Sequence, residues 1–230
     1  MNNIEFREKS KKNRRNIDII TNNLYDFIIK NKEYLRIAIS IIGMKKHSLE
    51  KSLLVEYIEK NPNYDDIEND NEIETFKELM MEFYKEKIFY RRGDLLELLV
   101  YKISPLKEND YLGVEKIQEA KVYLNKKKLD EKDIDLVCIK ELKDNKEIEC
   151  IECKVSLNNF LREPLNEYNI KKIEFMIKVK ELIELSQDYG SLYFATIDNG
   201  AKYLNEVLNN NGYSEFLIFD SKKIINRLLN

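Results

Sequence analysis

The chain has 230 residues, 35% of them charged, with 39 lysines and arginines against 42 aspartates and glutamates. This near balance excludes a protein whose global basic field drives nucleic-acid binding, and leaves a local basic groove as the route to such a partner. Three cysteines cannot build a disulfide framework, and the most apolar short run, Ile37 to Met44, falls far below the roughly 20 residues of a membrane span. The amino terminus shows no basic stretch followed by an apolar segment, so the expected compartment is the cytoplasm and no membrane partner is expected.

Asn2 to Arg15 holds six basic and two acidic side chains and reads as a solvated or frayed helix end. From Ile17 to Glu59 apolar residues recur at helical spacing, which predicts two or three amphipathic helices. Within them Lys45, Lys46 and His47 precede a capping-type Ser48, a small basic spot at a helix start that is compatible with phosphate contact. Asn61 to Glu74 is acidic and turn-rich and reads as a linker. The expectation is therefore a helical domain over residues 1–85, serving as support, dimerisation bundle or nucleic-acid-binding module, and a second domain over 86–230.

In the second part helices are predicted over Thr75 to Ile88 and Arg92 to Ile103, with Pro105 as terminator. The period then changes to alternation. Ala120 to Asn125, Ile134 to Leu142 and Glu147 to Val155 are strand candidates, the last two joined by a tight polar connection at 143–146. A helix (Ile170 to Leu185), a strand (Ser191 to Asp198), a helix (Ala201 to Asn209), a strand (Glu215 to Asp220) and a closing helix (Lys222 to Leu229) follow.

Two strand segments carry the chemistry: D-I-D-L-V-C-I from Asp133, and E-I-E-C-I-E-C-K-V ending at Val155. Strand alternation sends Glu152 and Lys154 to one face and Ile151, Cys153 and Val155 to the other. With Asp135 on the preceding strand, two carboxylates and an amine suit a divalent cation that takes hard oxygen ligands. Asp133 shares the parity of Asp135 and competes for the same role, but Asp135 abuts the apolar centre of its strand. A surface ion pair across a hairpin is the bland alternative. Cys150 and Cys153 are spaced C-x-x-C, yet odd spacing on a strand throws their sulfurs to opposite faces, so they read as fillers. The single histidine, His47, excludes a histidine-rich metal site.

These residues, in this element order, resemble the PD-(D/E)xK nuclease superfamily: Asp135 as the first acid, Glu152-Cys153-Lys154 as E-x-K, and Gly93-Asp94-Leu95-Leu96-Glu97 as the G-x-x-x-E of the first core helix. The resemblance covers about Tyr90 to Asn230. It implies an α/β fold with a restriction-endonuclease-like core: a helix, a three-strand meander, a helix, a strand, a helix, a strand and a helix. It implies a Mg2+-dependent endonuclease, with Mn2+ as a substitute ion, acting on DNA more than RNA in defence, restriction or repair. On this basis Asp135, Glu152 and the Cys153 carbonyl would bind metal, Lys154 would hold or deprotonate the attacking water or offset charge, and Glu97 would orient a water or complete a second metal site. Arg91, Arg92, Lys171, Lys172 and Lys178 are the expected nucleic-acid contacts, and a homodimer and a partner protein from a defence system are further expectations. The alternative is a catalytically silent nucleic-acid-binding or scaffolding module of the same fold.

Overall fold

The computed structural model describes residues 3–9, 16–44, 47–65, 67, 72–107 and 112–230. They form a mixed α/β structure around an open six-stranded sheet. The elements in chain order are β1 (Ile4–Glu8), α1 (Ile19–Lys30), α2 (Glu33–Met44), α3 (Lys51–Glu59), α4 (Ile73–Phe83), α5 (Ile88–Ile103), β2 (Val114–Leu124), β3 (Lys127–Glu141), β4 (Lys146–Cys153), α6 (Leu157–Phe160), α7 (Glu167–Leu185), β5 (Tyr189–Ala195), α8 (Ala201–Asn210), β6 (Phe216–Phe219) and α9 (Ser221–Leu229). The strands lie in sequence order, antiparallel from β1 to β4 and parallel from β4 through β6.

Helices cover both faces because every central strand is apolar on both. On β4, Ile148 and Cys150 join the core under α6, α7 and α8, while Ile151 and Cys153 pack with α1 to α5 and α9. Cys150 and Cys153 therefore do face opposite layers, as their spacing requires. An aromatic group anchors the larger layer: the Tyr34 and Phe76 rings lie 4.8 Å apart, Phe27 packs on both, and the buried Tyr84 hydroxyl donates to the Ile41 carbonyl at 3.0 Å.

One apolar cluster runs from Leu24 through Phe76 and Tyr84 to Leu95, Leu136, Ile151 and Tyr193, with no interruption at residue 85. The first 85 residues, read as a helical domain of their own, thus share their core with the sheet. They also supply a strand. Residues 4–8, expected to be part of a solvated or frayed helix end, pair antiparallel with β2, from Ile4 opposite Leu124 to Glu8 opposite Ala120. The reason is alternation that the surrounding charge obscures: Ile4 and Phe6 pack against the α7-side core. Residues 10–15 of that stretch, and Lys45 and Lys46 of the small basic spot, lie outside the described residues. Helix α3 begins at Lys51 with Glu50 at its cap, downstream of Ser48, and His47 sits edge-on to Phe89.

The β2–β3 hairpin turns through Asn125 and Lys126, both at positive φ (49° and 67°), between the paired residues Leu124 and Lys127. Two consecutive left-handed residues give the twist that a two-residue hairpin demands. Further along the same pair, Glu119 takes φ 46° opposite the Asp135 position, between the pairs Gln118–Leu136 and Ala120–Ile134. Ile117 and Ala120 of β2, and Val137 and Ile134 of β3, all reach the α7-side core, so alternation slips on both strands at this point. Local distortions of this kind re-aim side chains. Asp135 sits where that happens.

Candidate active site

Glu152, at the end of β4, is 2% exposed. A carboxylate so far from water needs cations, and two are present. Lys154 Nζ lies 2.5 Å from Oε1, and Lys172 Nζ lies 2.7 Å from Oε2. Lys154 follows the strand directly; its amide donates to the Ala195 carbonyl of β5 at 2.9 Å, which continues the sheet by one bond and holds the backbone in place. Its ammonium also approaches the Cys153 carbonyl at 3.4 Å and lies 5.4 Å from the centre of the Phe160 ring.

Lys172 comes from α7, whose buried positions include Lys172, Met176, Val179 and Ile183, one helical stripe. Its ammonium bonds the Asp133 carbonyl as well as facing Glu152. The expected phosphate contact is thus an interior side chain tying α7 to β3 and β4. Lys171 and Lys178 are exposed on the same helix, and Lys171 pairs with Glu167 at 2.5 Å.

Asp135 completes the group: its Oδ2 accepts the Cys153 amide at 2.7 Å, which locks the first acid to the middle residue of E-x-K. Burial and then the like charge of Glu152 push its carboxyl up to about 6, against the pull of Lys154, Lys172 and the amide. Lys154 is shifted the other way from what burial alone would give: desolvation lowers it, but Glu152 and Asp135 outweigh that and hold the ammonium above its ordinary value. Asp133, the competing acid, has its carboxylate 3.4 Å from Lys121 and 3.5 Å from Lys9; burial would raise its pKa, but these cations and Lys172 keep it low. Of the two aspartates, Asp135 is the one bonded to the E-x-K backbone.

Glu97 is half-buried on α5 and approaches from the other side of the sheet. Its charge, after burial and Asp135, raises the Cys153 thiol well above the ordinary value, so Glu97 stands beside the middle of E-x-K while Glu152 looks toward α7. The same shift makes Cys153 a poor nucleophile.

Arg91 and Arg92 are not brought to this site's surface. They are 6% and 5% exposed, on α5 itself, with Gly93 inside that helix and no turn between. Arg91 Nε pairs with Asp18 at 2.7 Å and its Nη1 bonds the Glu82 and Phe83 carbonyls; Arg92 Nε donates to the Ile42 carbonyl at 2.9 Å. Their sequence position suggested nucleic-acid contact; their bonds join α5 to α1, α2 and α4. A residue outside the sequence reading, Asp198 beyond β5, accepts from Ser156 Oγ at 3.3 Å and the Asn158 amide at 2.9 Å, and so fixes the loop after Lys154.

The donor set suits a hard divalent cation: two carboxylates on adjacent strands and the Cys153 carbonyl offer oxygen atoms, and the repulsion between Asp135 and Glu152 is what a dication would relieve. Among the described residues no group of three or more His, Cys, Asp and Glu side chains is arranged to hold an ion. Also among the described residues, no helix is long and apolar enough to cross a membrane. No family model matches the chain, and no curated protein matches it.

Proposed function

We propose that this protein is a Mg2+-dependent nuclease that hydrolyses phosphodiester bonds, with DNA as the favoured substrate, and that its sheet is a restriction-endonuclease-like core of the PD-(D/E)xK kind. One observation carries the reading: Asp135, Glu152 and Lys154, from two neighbouring strands, meet at one end of the sheet with a bond between the first acid and the E-x-K backbone. The element order supports it as well, since the helix bearing Glu97 precedes the antiparallel β2–β3–β4 meander, and α7 then crosses to the parallel β5.

A bound Mg2+ would neutralise charge on the phosphate and lower the pKa of the attacking water. Asp135, Glu152 and the Cys153 carbonyl would hold it. Lys154, kept charged by its two acids, then swings from Glu152 toward the scissile phosphate and offsets the negative charge that develops there. Lys172, paired with Glu152 at 2.7 Å, holds that carboxylate in place. Glu97, beside Cys153, positions water at the opposite edge of the site.

The test is Mn2+ binding followed by electron paramagnetic resonance, together with cleavage of plasmid, single-stranded DNA and RNA. Wild type should bind the ion and cut in Mg2+ or Mn2+; Asp135→Asn and Glu152→Gln should do neither. Equal Mn2+ binding by all three proteins would remove the proposed ligands.

A further inference from the structure

A cavity of about 560 Å3 opens beyond the carboxyl end of β5, between α2 and the start of α9. It shares an edge of the sheet with the carboxylate group: β4, β5 and β6 run parallel, and Lys154, Ile197 and Ser221 each follow the end of one of them within two residues. Asp198 joins the two places. It stands in the cavity wall, and its carboxylate holds Ser156 Oγ and the Asn158 amide just after E-x-K. The crevice outside the carboxyl ends of parallel strands is where open α/β sheets take their ligands.

The wall combines apolar, amide and cationic groups. Ile39 and Ile197 are buried in the larger core and Ile225 packs against it, which makes an apolar floor. Asn199 accepts from the Ser221 hydroxyl, whereas the exposed side chain of Asn226 has no bond among the described residues. Arg36 of α2 and Lys222 of the first turn of α9 supply the positive charge. Both are exposed, and neither side chain has an ion pair or hydrogen bond among the described residues. The acids near them are already engaged. Asp198 has its two bonds and, behind the wall, the buried Arg92, whose charge it supports. Asp220, next to the cavity, caps α9 by accepting the Lys223 amide at 3.1 Å.

We propose that this cavity holds a nucleotide of the substrate strand beside the scissile phosphate, with Arg36 and Lys222 on its phosphate and the apolar floor and the Asn226 amide on its base. The identity of the ligand rests on the nuclease reading; the binding chemistry does not. A strand is the polyanion that a cavity next to such a carboxylate group has to accommodate, and cations not engaged by acids are the ones whose charge it can use. A base needs apolar surface for its faces and a group that both donates and accepts for its edge, and a carboxamide does both. The volume lies within the range of small-ligand pockets, roughly 300 to 1,000 Å3. Because Asp198 ties the wall to the loop after Lys154, a nucleotide seated here is one loop from the E-x-K group.

Anisotropy of short labelled single-stranded and duplex DNA, titrated with the full chain in EDTA, measures binding without cleavage. Arg36→Gln and Lys222→Gln should each weaken binding about three- to tenfold, and each should reduce the slope of log affinity against log salt, over about 50 to 200 mM, by about 0.7 to 0.9. Asn226→Ala should weaken binding with the slope unchanged. Lys202→Gln, an exposed cation on α8 at the other face of the sheet, should change neither quantity. In Mg2+ the two cation variants should raise KM and leave kcat within about twofold. All of these side chains are exposed, so the variants keep the fold. Affinity and slope unchanged in the Arg36→Gln, Lys222→Gln double variant, a loss no larger than that of Lys202→Gln, or absence of DNA binding by wild type overturns the proposal, and unchanged affinity in Asn226→Ala overturns the place given to the base. Failure of the nuclease reading looks different: the variants then lose affinity and slope as stated, while wild type leaves every DNA uncut in Mg2+ and Mn2+.

Discussion

Lys172 and Glu152 form an interior ion pair at 2.7 Å, between a helix and a strand and with side chains 7% and 2% exposed. One partner lies in the E-x-K sequence and the other does not. The pair therefore connects the stability of the α7–sheet packing to the geometry of the proposed catalytic group. Replacing Lys172 by Met leaves Glu152 with Lys154 alone, and removal of one partner of a buried pair costs about 3–5 kcal/mol. Urea denaturation should show a loss in that range, with cleavage reduced at the same time. A loss below about 1 kcal/mol would mean that the pair is solvated.

Lys154 has a different role and should give a different result. Its side chain is 27% exposed and reaches its acids from the strand end. Lys154→Ala should keep nucleic-acid affinity within a few-fold and lower the cleavage rate about 100- to 1,000-fold, the usual cost of removing one charge-stabilising group. Single-turnover rates measured beside binding separate the two quantities. Equal loss of binding and rate would assign Lys154 to substrate capture instead.

Asp18 caps α1 by accepting the Thr21 amide at 2.8 Å and pairs with the buried Arg91 at 2.7 Å. Asp18→Asn should destabilise by about 2–4 kcal/mol at pH 7, since Arg91 is left without its counter-charge. Burial would raise the Asp18 pKa, but Arg91 and the Thr21 bonds win and hold it below the ordinary value. A depressed folded pKa gives stability that is fully present above the unfolded value, about 3.9, and is lost as pH falls through the folded value. The gap between wild type and variant should therefore be constant from pH 5 to 7 and close below about pH 4. Melting curves across that range check both size and sign.

The β2–β3 turn offers a stabilising change. Lys126 holds φ 67°, a left-handed conformation that costs a side chain about 1–2 kcal/mol and glycine nothing. Lys126→Gly should raise the melting temperature by about 2–4 °C per kcal/mol recovered, after the entropy that glycine adds to the unfolded chain. A fall in melting temperature would show that the lysine side chain contributes contacts worth more than the strain.

These sites differ in how far the residues alone disclose them. The acids and the E-x-K lysine were legible because strand alternation and element order are local properties. The pairing of β3 and β4 follows from hydrophobic runs on either side of a polar turn, and so Asp135 and Glu152 meet. Long-range properties were not legible. Strand β1 is five residues in a charged stretch and acquires its meaning only from β2, 110 or more residues later. The Asn125-Lys126 turn lacks the glycine that usually marks such hairpins, which hid the first half of β3. Parity placed Asp133 and Asp135 on one face, whereas the slip opposite Glu119 breaks that rule where it matters. Arg91, Arg92 and Lys172 look like solvent-facing cations in the sequence. Their helical phase was the available signal: Lys172 falls on the stripe of Met176, Val179 and Ile183, and Arg92 falls on that of Leu95, Leu96 and Leu99.

The most direct measurement is cleavage of end-labelled duplex DNA, single-stranded DNA and RNA by wild type and Glu152→Gln, each with Mg2+, with Mn2+ and with EDTA. Wild type should cut at least one substrate with either ion and none in EDTA, and Glu152→Gln should be at least about 100-fold slower. Intact substrates under every condition, or equal cleavage by the two proteins, would contradict hydrolysis by the Asp135–Glu152–Lys154 group.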